Sequence, residues 1–210
     1  MRSGKIFLLL IGFIFLIAGL IVGLGVPWFI SQDSARVLAL PVSDLASLSQ
    51  QEPGSEVVIE ARISPESKKQ FDDYVAYRQE RQERVRRDGR YRTEWRTELT
   101  VTPPLKVELE NETIQIRNDT YNFGELQNQR EVRINNELRR ISGIRHNDSV
   151  VVIGKLRSNN DGIVIDADVV SVGTKSDYLD SQNEAWWIMV ILGWLFIIVG
   201  SLLIWLGFRR

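Results

Sequence analysis

Two uncharged, strongly apolar runs lie near the two ends of this 210-residue chain and constrain its fold more than any other feature. The first run covers residues 6–30 and the second covers residues 186–208. About 20 apolar residues in a helix cross the hydrocarbon core of a bilayer, so each run is long enough to span it. The first run is too long for a signal peptide, and no small-residue cleavage motif follows it. The sequence therefore predicts two transmembrane helices.

Charged residues at the ends of the two runs indicate which side of the membrane each end faces. Arg2 and Lys5 precede the first run, and Arg209 and Arg210 follow the second. The inner ends carry acidic residues instead, beginning with Asp33. Cytoplasmic flanks of membrane spans are enriched in Lys and Arg. We therefore expect both termini in the cytoplasm and the central part of the chain on the extracytoplasmic side.

Glycines recur in both runs at spacings that place them on one side of a helix. Small residues matter here because helices in lipid associate through close backbone packing. An antiparallel pair would bring Gly12 to the depth of Gly200, and Gly19 to the depth of Gly193. The alternative is that these glycines receive a helix of another protein. The predicted packing residues are Gly12, Gly19, Gly23, Gly193, Gly200 and Gly207.

Tryptophans mark the expected edges of the bilayer, where aromatic side chains are enriched. Trp28, Trp186 and Trp187 lie where an outer aromatic belt is expected, and Trp205 lies near the inner one. Neither run contains an ionisable residue, so we expect no ion or proton pathway through the pair.

The composition excludes several classes of function. The chain has no cysteine, which excludes disulfides, thiolate metal sites and a cysteine nucleophile. The formal net charge is -1, so the molecule as a whole lacks the basic signature of a nucleic-acid-binding protein, and we expect no nucleic-acid partner. No glycine-rich nucleotide-binding loop is present, and we predict neither a cofactor nor a metal site.

The part of the chain between the two runs shows mainly β patterns. Residues 31–54 look like a connector that contains a short helix with Ser43 as its N-cap. Residues 129–141 are ambiguous and could contain a helical turn. Apolar, β-branched stretches predict strands at residues 55–63, 105–110, 149–156 and 163–173. We predict a mainly β protein, with a small OB-like β-barrel domain at 55–175 and a protruding hairpin, flanked by two transmembrane α-helices.

Residues 77–98 are dense in arginine and predict that hairpin. Between residues 75 and 101, eight arginines face four glutamates and one aspartate, a local excess of three positive charges. A three-residue loop of residues 87–89 would place Tyr77 opposite Leu99 and Arg78 opposite Glu98. One face would then gather Val75, Tyr77, Val85, Tyr91, Trp95, Leu99 and Val101. A helix and a dedicated anion site are the alternatives. Arg86, Arg87 and Arg90 at the tip are the candidate contacts for a partner or a lipid headgroup.

Few residues of the chain are candidates for catalysis. His146 is the only histidine, and it lies in a turn without the Gly-x-Ser-x-Gly element that an activated serine would need. The acidic residues Asp72, Asp73, Asp166 and Asp168 would matter only if two of them met in one pocket. We expect no catalytic residues. The asparagines Asn111, Asn118 and Asn147 head N-glycosylation motifs, which matter only in a glycosylating pathway.

The order of these features resembles the GIDE-type, or "beside a membrane", domain. The resemblance covers roughly residues 50–208 and rests on "PGSEVVIEARI", "DDYVAYRQE", a hairpin containing Trp95, "LKVELENETIQIR", "GIRHNDSVVVIGKL" and "DGIVI", followed by the second span. Ubiquitin ligases of that family carry a C-terminal zinc RING, which this cysteine-free sequence does not contain, so ligase activity does not transfer. The resemblance implies a small β domain beside the bilayer, with a role in partner recognition or scaffolding.

These observations favour a non-enzymatic membrane protein with two spans. Its extracytoplasmic β domain would act as a partner-binding scaffold or as an accessory subunit of a membrane complex. One alternative is a carboxylate-dependent hydrolase that acts on envelope material. Another is a sensor of anionic lipid that uses the arginine-rich hairpin. The expected partners are the lipid bilayer and another membrane protein or complex.

Overall fold

The computed structural model describes residues 2–87, 90–124, 126–158 and 162–209, with side chains described from Lys5 onwards. The chain forms two compact units, which are considered separately. The first combines Met1–Ala39 with Leu179–Arg210 and is helical. The second, Leu40–Tyr178, is mainly β. The β unit therefore includes the short helix that the sequence assigned to a connector.

The helical unit consists of two long apolar segments. In the first, α1 (Arg2–Leu20) continues through a π-helical turn (Ile21–Gly25) into α2 (Val26–Ala39). The second is α4 (Lys175–Arg209). The 35-residue segments Lys5–Ala39 and Lys175–Arg209 are both long and apolar enough to cross a membrane.

Both helical segments extend beyond the predicted spans. Residues 31–39, at the start of the predicted connector, are helical and continue the first segment. This stretch contains neither Gly nor Pro, the residues that most strongly end helices, and Asp33 and Arg36 form an ion pair three residues apart along it.

The glycines of the two helical segments lie against each other. A Cβ atom added to Gly12 would lie 2.9 Å from the Gly200 carbonyl oxygen, and one added to Gly19 would lie 2.9 Å from the Gly193 carbonyl oxygen. At Gly193 the added atom would lie 2.1 Å from the Gly23 Cα. Such distances leave no room for a side chain. The antiparallel pair is therefore held by backbone contact along a glycine seam, which we define as Gly12, Gly19, Gly23, Gly193 and Gly200.

The β unit begins with α3 (Leu45–Gln50) and contains ten strands within the described residues. The strands are β1 (Glu56–Ile63), β2 (Tyr74–Arg87), β3 (Arg90–Val101), β4 (Leu105–Leu109), β5 (Glu112–Ile116), β6 (Asn122–Phe123), β7 (Arg130–Ile134), β8 (Glu137–Arg145), β9 (Ser149–Ser158) and β10 (Val164–Val172).

Five of these strands close into a barrel. The neighbours around the ring are β1, β4, β5, β10 and β9, and β9 pairs again with β1. The pairs around the ring are antiparallel except β5 with β10, which run parallel. This order is that of an OB-type barrel, and it confirms the predicted OB-like domain with two flanking apolar helices.

The barrel interior is a continuous aliphatic core. Val57 and Ile59 of β1 pack there with Val152 of β9, Ile114 of β5 and Ile165 of β10, each no more than 1% exposed. Burial of one such side chain stabilises the fold by about 1.5–3 kcal/mol. Alternation of apolar and polar residues in the short strands β4 and β5 directs their apolar side chains into this core.

Gly154 and Asn118 determine how β10 closes the ring. A Cβ atom on Gly154 would lie 2.3 Å from the Asp166 carbonyl oxygen, so the β10 backbone approaches its neighbour β9 so closely that only glycine fits. The register of this pair shifts between Ala167 and Val169. On the other side, the Asn118 side chain accepts a hydrogen bond from the Ala167 N–H at 2.8 Å and donates one to the Ala167 carbonyl at 2.7 Å. The barrel bend at Gly154 stays a prediction, and the register shift of β10 lies directly opposite this glycine.

One local prediction is wrong, and one ambiguity is resolved. The N-cap of α3 is Asp44, whose carboxylate accepts a hydrogen bond from the Ser47 N–H at 2.8 Å, whereas the Ser43 N–H is bound by the Val58 carbonyl. This cap lowers the pKa of Asp44, chiefly through its hydrogen bonds with Ser47. Residues 130–145 form the β7–β8 hairpin rather than a helical turn. Asn135 and Asn136 make its turn at positive φ, which asparagine tolerates better than most residues.

The β2–β3 hairpin exists, but its predicted register is wrong. Arg87 pairs with Arg90, so two residues, 88 and 89, separate the strands; both lie outside the described residues. A shift in β3 opposite Gln79 then pairs Tyr77 with Val101 rather than Leu99. Side chains alternate between the two faces of a strand. The one-residue difference from the predicted register near the tip therefore places Val85 on the face opposite Tyr91 and Trp95.

Gly154→Ala tests the closure of the barrel. The new methyl group meets the β10 backbone, so the strands must separate, and we expect a loss of about 1–3 kcal/mol of unfolding free energy. Thermal unfolding of the full-length protein in detergent, followed by the β signal in circular dichroism, measures it. The control is Lys155→Ala at the exposed neighbouring position. Equal melting temperatures for the two variants would contradict this account of closure.

Gly193→Leu tests the glycine seam. The leucine cannot fit against Gly23, so we expect the helix pair to separate, whereas Gly25→Leu enters open space and should leave it intact. Cysteines placed at Phe15 and Phe196, whose rings are 5.7 Å apart, report the pairing through a short thiol cross-linker. The chain has no cysteine of its own, so the cross-link is unambiguous. Undiminished cross-linking in Gly193→Leu would show that the seam does not hold the pair.

Candidate functional site

The second sheet of the β unit is the most strongly charged region that the structure describes. Its strand order is β3, β2, β8 and β7, so the β7–β8 hairpin extends the arginine-rich β2–β3 hairpin. We call these four strands the arginine sheet. Together they carry thirteen arginines and six glutamates, an excess of seven positive charges. Since the whole chain has a net charge of -1, the rest of it carries a net charge of -8.

The inner end of the arginine sheet is fixed by a buried tyrosine. Tyr74 is 1% exposed, and its hydroxyl donates a hydrogen bond to the Asn128 carbonyl and accepts one from the Arg145 guanidinium at 3.0 Å. The hydrogen bond to Tyr74 is the main reason that the pKa of Arg145 is raised. Tyr77 and Ile141 complete a small apolar cluster around Tyr74. This end of the sheet is therefore a rigid base.

One face of the sheet holds most of its ion pairs. Glu83 lies 2.7 Å from the Arg81 guanidinium and 3.4 Å from that of Arg96. The hydrogen bond from Arg81 holds the pKa of Glu83 below its ordinary value. Arg87 lies 3.7 Å from Glu94 on the neighbouring strand. On this face, which we call the paired face, glutamates neutralise much of the positive charge.

The opposite face combines arginines with aromatic rings. The Arg84 guanidinium lies 4.3 Å from the centre of the Tyr91 ring, and that of Arg86 lies 5.9 Å from it. Arg140 lies 4.2 Å from the centre of the Trp95 ring. Tyr91 is 58% exposed, and Trp95 is half-buried. We call this surface the aromatic face. Stacking on the Tyr91 ring orients the guanidinium groups of Arg84 and Arg86 without neutralising them, whereas Arg140 also lies 3.9 Å from Glu80 and 3.8 Å from Glu131.

Several arginines of the sheet are available to a ligand. Within the described ranges, no carboxylate lies within 4.0 Å of the guanidinium groups of Arg84, Arg86, Arg90, Arg92 and Arg133, and all five side chains are exposed. Among the predicted contact residues, Arg86 and Arg90 belong to this set. Arg87 differs because it pairs with Glu94.

Only half of this site is predicted by the sequence. The β2–β3 hairpin is predicted, but with Trp95, Tyr91 and Val85 on one face and without the β7–β8 hairpin in the same sheet. The arginines at 130, 133, 139, 140 and 145 were a usable signal, because they recur with apolar residues in a strand-like pattern around Asn135 and Asn136.

The residues considered for catalysis make structural contacts. The His146 Nε2 lies 2.7 Å from the Ser67 carbonyl oxygen. The carboxylates of Asp72, Asp73 and Asp166 lie beside Arg130, Arg145 and Arg157 at 2.6, 2.9 and 3.0 Å, and Asp168 is exposed at the register shift of β10. Across the described part of the chain, no three His, Asp or Glu side chains cluster in a way that could hold a metal ion.

In the helical unit, the predicted interface tryptophans lie mostly on the outside of the pair. Trp28, Trp187 and Trp205 are each more than half exposed, and Trp186 is half-buried against the edge-on ring of Trp187. Arg209 lies 4.7 Å from the centre of the Trp205 ring. Trp194, which the sequence interpretation left out, is also 59% exposed.

Comparisons of this chain with protein-family models, with curated proteins and with solved structures find no match.

Tyr74→Phe tests the base of the arginine sheet. Removal of the hydroxyl leaves the Asn128 carbonyl without its donor and takes one acceptor from Arg145, which keeps its ion pair with Asp73; the loss should cost about 1–3 kcal/mol of unfolding free energy. Tyr91→Phe is the matched control, because Tyr91 is exposed on the same sheet. Chemical denaturation of both variants measures the difference. A Tyr74→Phe protein as stable as the control would contradict the role given to this hydroxyl.

Proposed function

We propose that this chain is a non-enzymatic membrane protein with two spans whose extracytoplasmic β domain docks an acidic partner protein on the arginine sheet. In this role it acts as a scaffold or as an accessory subunit of a membrane complex. The observation that carries the proposal is the excess of seven positive charges on one sheet, with five exposed arginines that have no carboxylate beside them in the described residues.

The residue types of the aromatic face favour a protein partner. Arg, Trp and Tyr contribute most of the binding energy at protein interfaces, and all three lie together here as Arg84, Arg86, Tyr91, Trp95 and Arg140. Guanidinium groups pair with the carboxylates of Asp and Glu through two parallel hydrogen bonds. On the aromatic face, the rings can therefore supply binding energy, and the arginines can select for an acidic surface.

The size of the sheet also suits such a partner. At about 3.3 Å per residue, the 14 residues of β2 extend for about 46 Å. Its inner residues, Tyr74–Tyr77, are buried, whereas the outer part of β2 and most of β3 are exposed along one ribbon that a partner can contact.

The charges that flank the apolar helices support the proposed orientation, with cytoplasmic termini and an extracytoplasmic β domain. The resemblance to GIDE-type domains stays a prediction, and it favours the same scaffold role. Two anchors on either side of one small domain would confine its encounters to the membrane surface. Confinement raises the effective concentration of partners in the same membrane without any additional contact.

The test compares proteins that co-purify with two charge variants of the full-length chain. The sheet variant is Arg84→Gln, Arg86→Gln, Arg90→Gln and Arg92→Gln together. The control removes four exposed cations outside the sheet, at Arg62, Lys68, Lys69 and Lys155. Quantitative mass spectrometry of material purified in mild detergent should show an acidic protein that is stoichiometric with the wild type and the control but reduced at least about tenfold with the sheet variant.

Two results would count against the proposal. Equal recovery of the partner with the sheet variant would place its binding surface elsewhere. Alternatively, if no protein is recovered while vesicles of anionic lipid bind the wild type and not the sheet variant, the arginine sheet recognises lipid headgroups.

A further inference from the structure

A groove runs along the helical unit between α2 and α4, independent of the arginine sheet. It has two connected parts, of about 450 and 380 Å³, which share Ser31 and Trp186. One part lies beside Ser34 and Asn183, and we call it the polar end. The other lies beside Gly23 and Trp194, and we call it the apolar end. At 1.5 Å per residue, the groove follows α4 from Asn183 to Trp194 for about 16 Å.

The sequence explains why the two helices leave this space. Gly23 and Gly193 bring their backbones together at the apolar end. Beyond that contact, α2 presents the small residues Ser31, Ser34 and Ala35, which recur at the spacing of one helix face. Opposite them, α4 presents large indole rings that cannot fill the space between small side chains. A groove with one small and one aromatic wall results.

The polarity of the groove changes along its length. At the apolar end the walls are Gly23, Leu24, Pro27, Val190 and Trp194. At the polar end the Ser34 hydroxyl is shielded from solvent and has no hydrogen-bond partner among the described residues. A buried hydroxyl without a partner costs about 1–3 kcal/mol, which a ligand with an acceptor atom would recover.

The groove lining carries no charge. Neither part is lined by Lys, Arg, His, Asp or Glu. A phosphate or another anionic group would have no counter-charge there, whereas an ester carbonyl needs only a donor. The Ser34 hydroxyl and the Asn183 amide can both donate. The groove is thus complementary to a molecule with a neutral hydrogen-bond acceptor at one end and a hydrocarbon chain at the other.

We propose that the groove binds one acyl chain of a bilayer lipid. The ester carbonyl accepts hydrogen bonds at the polar end from Asn183 and, once its shielded hydroxyl rotates towards the groove, from Ser34, and the chain extends past Trp186 to Trp194 at the apolar end. The groove lies in helices long and apolar enough to cross a membrane, where such lipids are the surrounding solvent. Its volume is in the range of ligand pockets.

The test uses full-length protein in vesicles of phosphatidylcholine that contain a trace of the same lipid with a photoactivatable acyl chain. Mass spectrometry maps the labelled residues. We expect labelling concentrated on the groove residues of α2 and α4. Ser34→Leu, which fills the polar end and removes its hydroxyl, should reduce that labelling at least about tenfold. Gln32→Leu adds the same side chain at an exposed position outside the groove and should change nothing.

A second variant distinguishes the loss of the hydrogen-bond donor from the filling of the groove. Ser34→Ala keeps the groove open and removes only the donor, so we expect labelling to fall about fivefold, the equivalent of one hydrogen bond of about 1 kcal/mol. The Phe15 and Phe196 cysteine cross-link confirms in each variant that the helices remain paired.

Three results would overturn the proposal. Equal labelling of exposed residues outside the groove, such as Phe29 and Ile188, would indicate surrounding lipid only. Labelling that survives Ser34→Leu would place the lipid elsewhere. A tenfold gain when anionic phosphatidylglycerol replaces phosphatidylcholine would show that the site recognises charge and not the ester.

Discussion

The close approach of the paired strands β9 and β10 at Gly154 is the constraint on which the rest of the β unit depends. Because the β10 backbone can approach β9 closely at this glycine, the other edge of β10 pairs with β5. Asn118 stabilises this parallel pairing through its hydrogen bonds with Ala167. The ring then has no free edge among its five strands. Long connections between ring strands must leave the barrel, and two of them do so as hairpins.

Those two hairpins form the arginine sheet. The β2–β3 hairpin arises between β1 and β4, and the β7–β8 hairpin arises between β5 and β9, so their pairing joins residues more than 60 positions apart in the chain, such as Arg78 and Ser142. Their positive charge is segregated from a barrel and helices that are together acidic. This separation of charge does not stabilise the hydrophobic core. It does create a positive electrostatic potential around one sheet, and such potentials attract acidic groups.

The sequence predicted those features that repeat over short distances. The apolar runs, the alternation in β4 and β5 and the glycine positions each follow from a period of 2 or 3.6 residues, and they hold. Features that depend on a single residue were harder to predict. Whether the hairpin loop has two or three residues decides every face of β2 and β3, and the shift opposite Gln79 adds a second offset that leaves no local signature.

Pairings between distant segments could not be predicted at all. Nothing near Arg140 indicates that it lies over Trp95, because that contact depends on the neighbouring positions of β8 and β2 in the sheet. The unpartnered Ser34 hydroxyl is similarly invisible in sequence, since serine is common on helix surfaces and only the packing of α2 with α4 shields it. Sequence therefore located the two long apolar helices and the barrel, whereas the two candidate sites required the tertiary structure.

The most direct test of the central claim is to place a photo-cross-linking amino acid at Trp95, in the middle of the aromatic face, and to identify what it captures in the native membrane. The account predicts one protein, cross-linked through a segment rich in Asp and Glu. Capture of lipid alone, or of no macromolecule, would contradict the claim that the arginine sheet is a protein-docking surface.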